Sequence, residues 1–141
     1  MEALLQTALR EDALTSASGG FELRVGLPWI RSMPLSSVAG LAVEVDGVPV
    51  VGRELAVALG VRQVPAEALP KEPGWWFIQD RLVLAVQRHL SGGPHAVAVG
   101  FQLLVPYLQA RPGTPLVLPF RLEALLELDG APVPSVSRDV A

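Results

Sequence analysis

Short runs in which apolar and polar residues alternate recur along this chain, and turns rich in glycine and proline separate them. The runs Phe21–Val25 and Leu41–Val45 show this pattern, and a period of two is typical of a strand with one buried face. The turns follow at roughly the 8–12-residue spacing of sandwich folds. We find no regular alternation of strand and helix patterns. The sequence therefore predicts an all-β fold, an antiparallel β-sandwich of jelly-roll type.

The same pattern assigns most of the remaining elements. Asp46-Gly47 is a strong hairpin signal, which pairs Leu41–Val45 with Val48–Val51. We predict a long strand over His95–Tyr107, ending its pairing at Pro106, which lacks a backbone donor. Further strands are predicted at Glu54–Val61 and Leu82–Gln87, turns or loops at Thr15–Gly20, Ser91–Pro94 and Arg111–Pro115, and a long irregular loop at Val64–Gly74.

Two segments stay open between alternatives. Residues 2–12 fit either a short helix or a frayed terminus, and Phe120–Leu128 fits either a strand or a short helix. We divide the chain into an N-terminal segment (1–20), a β-sandwich domain (21–128) and a flexible C-terminal tail (129–141), because the tail is rich in proline and small polar residues.

Composition excludes several classes of function. The net charge of −3 gives no reason to expect nucleic acid or an anionic membrane as partner. The chain contains no cysteine, so disulfides and thiolate chemistry are excluded and a cytoplasmic location is expected. We find neither a signal-peptide pattern nor an apolar run of the ~20 residues that a membrane helix needs. Half of the residues are hydrophobic and only 18% are charged, which suggests a covered surface.

No self-contained active site emerges from the residues. His89 and His95 flank the Ser91–Pro94 turn, and a tight hairpin there would bring them together, but no third ligand is evident for a metal. Solvated turn histidines are the favoured interpretation. A small enzyme that pairs either histidine with a carboxylate ranks last among our hypotheses. Carboxylates that could take such a role are Glu44, Asp46, Asp80, Glu127 and Asp129.

The loops are unusually rich in tryptophan and arginine. Trp29 and Arg31 lie in a segment that Pro28 and Pro34 stiffen, and Trp75-Trp76 follows the proline-rich loop. Trp, Tyr and Arg dominate binding hot spots, so these loops predict contact with a partner protein or with a flat, sugar-bearing aromatic ligand. Two simpler interpretations remain open: Trp76 fills the sandwich core, and Arg31 is a solvated loop residue.

One stretch also resembles a known family. A strand leads to Leu27-Pro28-Trp29, Arg31 and Pro34-Leu35-Ser36, and the next strand ends in Val45-Asp46-Gly47. This order of motifs is similar to that of the β-subunit family of bacterial C-glycoside deglycosidases. Later pieces that fit the family are Trp75–Phe77, a hairpin at Gly92–Gly93 and a strand closing at Val105–Tyr107, so that the resemblance covers Phe21 to Pro119.

The resemblance implies an accessory subunit of a carbon–carbon lyase complex. In that family, a TIM-barrel α subunit similar to sugar isomerases holds a divalent metal, usually Mn²⁺. The complex cleaves the C–C bond between a 3-oxo-glucosyl group and a flavonoid-like aglycone. We therefore expect neither catalytic residues nor metal ligands in this chain. We expect Trp29, Arg31, Met33, Trp75 and Trp76 to face the partner or the 3-oxo-C-glycoside substrate. The alternative is a stand-alone β-sandwich carbohydrate-binding module.

Overall fold

A computed structural model describes residues 8–132 and 137–140 of the protein, apart from the side chain of Pro106. Within these residues the chain forms eleven strands and three short 3₁₀-helices. The strands are β1 (Leu14–Ala17), β2 (Gly20–Gly26), β3 (Met33–Pro34), β4 (Val38–Val45), β5 (Val48–Pro49), β6 (Leu55–Leu59), β7 (Arg62–Pro65), β8 (Trp75–Trp76), β9 (Arg81–Val86), β10 (Pro94–Arg111) and β11 (Thr114–Glu127). The 3₁₀-helices cover Leu35–Ser37, Gly52–Glu54 and Ala66–Lys71.

Two antiparallel sheets enclose one hydrophobic core. The first has the strand order β1-β2-β9-β6-β7, and the second has the order β11-β10-β4-β5. The alternating runs of the sequence supply the core, because every second side chain is buried in β2, in β6 and in β10 as far as Val105. On β2 these side chains are those of Phe21, Leu23 and Val25, each at most 1% exposed. The predicted all-β antiparallel sandwich is confirmed.

The Asp46-Gly47 turn links β4 and β5 as predicted. Both residues have positive φ angles, 53° at Asp46 and 78° at Gly47, which is the backbone that a two-residue type I′ hairpin requires. The hairpin is confirmed, with Val45 paired to Val48.

A third, two-stranded sheet consists of β3 and β8. Met33 lies opposite Trp76 and Pro34 opposite Trp75. The Trp76 side chain is fully buried, and its ring centroid lies 5.9 Å from that of Phe101. Its indole nitrogen donates a 3.0 Å hydrogen bond to the carbonyl oxygen of Asp80. The inner face of this ribbon is therefore anchored in the core, and its outer face carries Trp75.

The β10–β11 hairpin is the longest pairing in the described chain. Its register runs from Pro94 opposite Glu127 to Arg111 opposite Thr114, so the Phe120–Leu128 alternative is decided in favour of a strand. The prediction that Pro106 ends the pairing of β10 is wrong. The register shifts after Val105 and pairing resumes at Gln109, because residues 106–108 bulge out of the ladder instead of ending it.

Three predicted connections are corrected. Residues 87–93 do not form a tight hairpin, since β9 and β10 belong to different sheets. The Val64–Gly74 segment is not irregular: its first residues pair with β6, and a 3₁₀-helix follows at Ala66–Lys71. That helix forms because Leu69 can bury its side chain completely. Half of the predicted Thr15–Gly20 loop belongs to β1, which pairs with β2.

The two ends of the described chain lie against the body. The segment 2–12, left open between a short helix and a frayed terminus, has its residues 2–7 outside the described part of the chain, and Ala8 and Leu9 pack into the core. Of the tail predicted over 129–141, the described residues 137–140 run beside Arg81, whose backbone nitrogen donates to the carbonyl oxygen of Arg138 at 2.7 Å. Val140 is 3% exposed. No helix among the described residues is long and apolar enough to cross a membrane.

Candidate functional site

Trp29, Arg31 and Tyr107 form a cluster at the surface. The indole nitrogen of Trp29 donates a 2.6 Å hydrogen bond to the Tyr107 hydroxyl, and the Arg31 guanidinium carbon lies 4.5 Å from the Tyr107 ring centroid. This is a cation–π arrangement. The bulge in β10 makes the contact possible, because it displaces Tyr107 from the regular ladder. We call these three residues the arginine–aromatic cluster.

The neighbouring segment of residues 75–78 continues this surface. The β3–β8 pairing joins it to the segment that carries Arg31, and the backbone nitrogen of Ile78 donates a 2.8 Å hydrogen bond to Ser32 Oγ. Its large apolar side chains are about half exposed: Trp75 at 51%, Phe77 at 48% and Ile78 at 45%. Ile30, between Trp29 and Arg31, is 63% exposed.

The β3–β8 pairing and the two hydrogen bonds bring these side chains into one largely apolar area, which we call the aromatic surface. Its members are Trp29, Ile30, Arg31, Trp75, Phe77, Ile78 and Tyr107. Trp29 is partly buried against the core, and the other side chains are exposed. A concentration of exposed aromatic and aliphatic side chains marks a binding surface more often than an idle one, and its residue types are those of interface hot spots. The geometry therefore supports binding to a partner or a ligand.

Three of the five predicted site residues lie on the aromatic surface, namely Trp29, Arg31 and Trp75. The other two do not. Met33 and Trp76 are 0% exposed, so the prediction that they face a partner is wrong. They pair on the inner face of the β3–β8 ribbon, because successive side chains of a strand point to opposite faces.

Sequence reasoning missed four members of the aromatic surface: Ile30, Phe77, Ile78 and Tyr107. A strict period of two through Trp75, Trp76 and Phe77 would have put Trp76 inside and its two neighbours outside. The signal for Tyr107 is weaker, since Pro106 indicates a break or bulge in the strand but not which side chains the bulge brings together.

His95 is a buried polar residue with a hydrogen-bond partner at each ring nitrogen. Its Nδ1 lies 2.7 Å from Asp46 Oδ2, its Nε2 lies 2.7 Å from the carbonyl oxygen of Ser91, and the residue is only 6% exposed. The backbone nitrogen of Ala96 donates a 2.9 Å hydrogen bond to the other Asp46 oxygen. The hydrogen bond to Asp46 raises the pKa of His95, and the same bond lowers the pKa of Asp46.

This arrangement stabilises the fold and leaves no nitrogen of His95 for chemistry on a substrate. Both ring nitrogens already have acceptors, so the interpretation of His95 as a solvated turn histidine is wrong, and its use as a general base is disfavoured. His89 is exposed. Across residues 8–132 and 137–140, no group of three or more His, Asp or Glu side chains could hold a metal ion, so this donor set does not fit one.

A shallow depression of about 420 Å³ lies on the outer face of the second sheet. It is lined in part by Glu44, Arg121 and Glu123. The Arg121 guanidinium is bonded to Glu123 at 2.6 Å and to Glu44 at 3.0 Å, and these bonds raise its pKa. Its charge is therefore already balanced, and the depression offers no free cation to an anionic ligand.

Comparison with known proteins agrees with a binding role. The chain matches the model of the C-glycoside deglycosidase beta subunit family over residues 3–107. It is 31% identical over 108 residues to the 3'-dehydrocarminate deglycosidase beta subunit of a Microbacterium species, covering 75% of this chain and 81% of that protein. It is 32% identical over 103 residues to the C-glycoside deglycosidase beta subunit of Arthrobacter globiformis, covering 71% and 79% of the two chains. The relative from Microbacterium trichothecenolyticum is 30% identical over 105 residues, with 73% and 76% covered.

Proposed function

The chain belongs to the family of C-glycoside deglycosidase β subunits, and on that premise we propose that it is the accessory subunit of a heteromeric C-glycoside deglycosidase. Its partner in this proposal is a TIM-barrel α subunit that supplies the catalytic base and a divalent metal such as Mn²⁺. The complex would be a carbon–carbon lyase acting on 3-oxo-C-glycosides, including those of flavonoids. The observation that carries the proposal is the aromatic surface.

The aromatic surface has the chemistry of a protein interface. Burial of apolar area contributes roughly 25 cal/mol per Å² removed from water, so covering half-exposed side chains such as Trp75 and Phe77 favours association. Tyr107 and Trp29 are already bonded to each other, which reduces the ordering cost that binding usually carries. This part of the surface is therefore already ordered in the single chain, before a partner binds.

Arg31 gives this surface a polar anchor. Its guanidinium stacks on Tyr107, and no carboxylate of the described residues lies within ion-pair distance of it. A guanidinium held over an aromatic ring keeps its in-plane N–H donors free for a carboxylate. We propose that Arg31 pairs with an acidic side chain of the α subunit, or with a keto or phenolate oxygen of the substrate at the subunit boundary.

The donor set of this chain supports the proposal that the partner holds the metal. A divalent metal with catalytic function needs several convergent carboxylate or imidazole ligands, and the described residues bring no three such groups together. His95 is also committed to Asp46 and Ser91. What this chain contributes in the proposal is cover for the apolar surface of the α subunit and a wall near its pocket.

Co-expression tests the proposal directly. The full chain is produced with TIM-barrel proteins encoded in the same genome, and complexes are sought by gel filtration with light scattering. We expect a stable heteromer that cleaves a 3-oxo-C-glycoside, whereas the single chain neither cleaves it nor retains Mn²⁺ after dialysis. Turnover by the purified single chain, or the lack of any heteromer, would contradict the proposal. Tight binding of simple glycosides to the single chain in calorimetry would favour the carbohydrate-binding module instead.

A further inference from the structure

The distal end of the β10–β11 hairpin stands clear of the sandwich. Every residue from 107 to 115 is exposed, and β4 pairs with β10 only as far as Val38 opposite Leu103. At about 3.3 Å per residue, the strands beyond Tyr107 project by roughly 15 Å before the Pro112-Gly113 turn. We call residues 107–115 the hairpin arm.

The hairpin arm and its base carry apolar side chains that the described chain covers only in part. Tyr107 is 43% exposed and Leu108 is 40% exposed, while at the base Val117 is 48% and Leu104 is 39% exposed. A two-stranded ribbon is at best marginally stable in water on its own, so this arm gains from a second surface. Pro115 interrupts the row of backbone donors, which favours a partner that meets its side chains over one that adds a strand.

The hairpin arm is continuous with the aromatic surface. Tyr107 belongs to both: its hydroxyl accepts the Trp29 hydrogen bond, and its ring lies under the Arg31 guanidinium. A partner that covers the aromatic surface therefore meets the first residues of the arm as well. At the tip, Arg111 is exposed and forms no ion pair with the described residues.

The match to the family model ends where the arm begins. The model covers residues 3–107, so the aromatic surface lies inside the matched region and residues 108–115 lie outside it. The family model therefore describes the residues of the aromatic surface and does not describe residues 108–115 of the arm.

We propose that the hairpin arm reaches along the α subunit and selects the α subunit with which this chain assembles. This inference rests on the proposed function. The partner that this inference requires has a shallow apolar surface next to the part that covers the aromatic surface. It also has a carboxylate near Arg111. Selectivity arises because an α subunit without that apolar surface leaves Leu108 and Val117 exposed, and one without the carboxylate leaves Arg111 unpaired.

The test uses the full chain and the separately purified cognate α subunit. In the shortened variant, residues 108–114 are replaced by Asn-Gly, and a second variant carries Leu108→Ser with Arg111→Ala. The matched control is Leu125→Ser, since Leu125 is 74% exposed on β11 but lies outside the arm. Affinity for the cognate α subunit and for the α subunit of the Arthrobacter globiformis complex is measured by calorimetry, and melting temperatures verify folding.

We expect both arm variants to bind the cognate α subunit at least about tenfold more weakly, as loss of one or more hot-spot contacts produces. Their affinity for the foreign α subunit should change less than about twofold, and Leu125→Ser should match the parent chain throughout. If the parent chain binds its α subunit and the arm variants bind equally well, the inference about the arm is overturned and the proposed function stands. If the parent chain binds no α subunit, the proposed function fails and the inference fails with it.

Discussion

The indole nitrogen of Trp29 donates a 2.6 Å hydrogen bond to the hydroxyl of Tyr107, across a sequence separation of 78 residues. The bond joins the proline-bracketed segment before β3 to the bulge of β10. Arg31 lies over the same ring, so the three side chains hold one another in place. We therefore expect them to act as a unit in assembly.

Tyr107→Phe removes the hydroxyl and keeps the ring beneath Arg31. The Trp29 N–H then loses its acceptor, and a hydrogen bond of this kind contributes about 1 kcal/mol. We expect a shift of the Trp29 indole N–H signal in NMR spectra and a two- to tenfold weaker complex with the α subunit, as follows from roughly 0.5–1.5 kcal/mol. Trp75, which is not part of this bond, supplies the control signal. An unmoved Trp29 signal would show that the bond does not persist in solution.

Arg31→Ala should weaken assembly or turnover and leave the fold of the single chain intact, because Arg31 is exposed and its guanidinium stacks on the ring of Tyr107. We expect roughly a tenfold loss of affinity for the α subunit, the scale of an interface hot spot. Arg31→Lys should recover only part of the lost affinity, since lysine lacks the planar guanidinium that stacks on an aromatic ring and binds a carboxylate through two hydrogen bonds.

Arg53→Ala is the matched control for charge, since Arg53 is an exposed arginine in the Gly52–Glu54 helix, away from the aromatic surface. Gel filtration and calorimetry of the complex measure both variants. If the Arg31→Ala variant co-elutes with the α subunit and its complex turns over substrate like the complex of the parent chain, the arginine–aromatic cluster has no part in docking.

Two adjacent tryptophans should respond in opposite ways to truncation. Trp76 is 0% exposed and bonded to Asp80, so Trp76→Ala should lower the free energy of unfolding by about 3–5 kcal/mol. Trp75 is 51% exposed, so Trp75→Ala should change stability by less than about 1 kcal/mol and weaken the complex instead. Denaturant unfolding followed by binding measurements separates the two effects. Equal destabilisation by both variants would mean that Trp75 is not at the surface in solution.

The sandwich can be predicted from the sequence because the patterns that indicate it lie within short stretches of the chain. Alternation in Phe21–Val25 reports a buried face directly, and Asp46-Gly47 specifies its own turn geometry. The ordinary strand pattern of β10 likewise predicts its buried face, from Val97 to Val105, each at most 3% exposed.

What the sequence does not predict depends on contacts between distant residues. Whether residues 87–93 turn back or cross to the other sheet is decided by where β9 and β10 pair, and Gly92-Gly93 permits both. The aromatic surface shows the same limit. Tryptophan and arginine in stiff loops indicate binding, but only the β3–β8 pairing decides that Trp75 faces out and Trp76 in, and only the bulge brings Tyr107 to Trp29.

The bonding of His95 predicts a pH dependence of stability. Acceptors at both ring nitrogens favour the imidazolium form, and the hydrogen bond to Asp46 raises the pKa of His95. Glu127 adds a smaller attraction of the same sign. This contribution to stability is therefore complete below the ordinary histidine pKa of about 6.5 and is lost as the pH rises through the higher pKa of the folded chain.

Asp46 determines the lower pH limit of the stability that the His95–Asp46 pair contributes. Its pKa is lowered, chiefly by the bond to His95, so the stability it provides is present above its ordinary pKa of about 3.9 and is lost as the pH falls through the lower pKa of the folded chain. The pair should contribute fully between about pH 4 and pH 6.5.

An NMR titration of His95 measures this. We expect the imidazole of His95 to titrate above the ordinary histidine value of about 6.5. Asp46→Asn keeps the turn, because asparagine tolerates the positive φ that this position requires, and removes the charge. In that variant the pKa of His95 should fall towards its ordinary value. The stability deficit against the parent chain should be largest near pH 6 and shrink as the pH rises through the parent's His95 pKa. Titration of His95 at or below the ordinary histidine value in the parent chain would refute the imidazolium assignment.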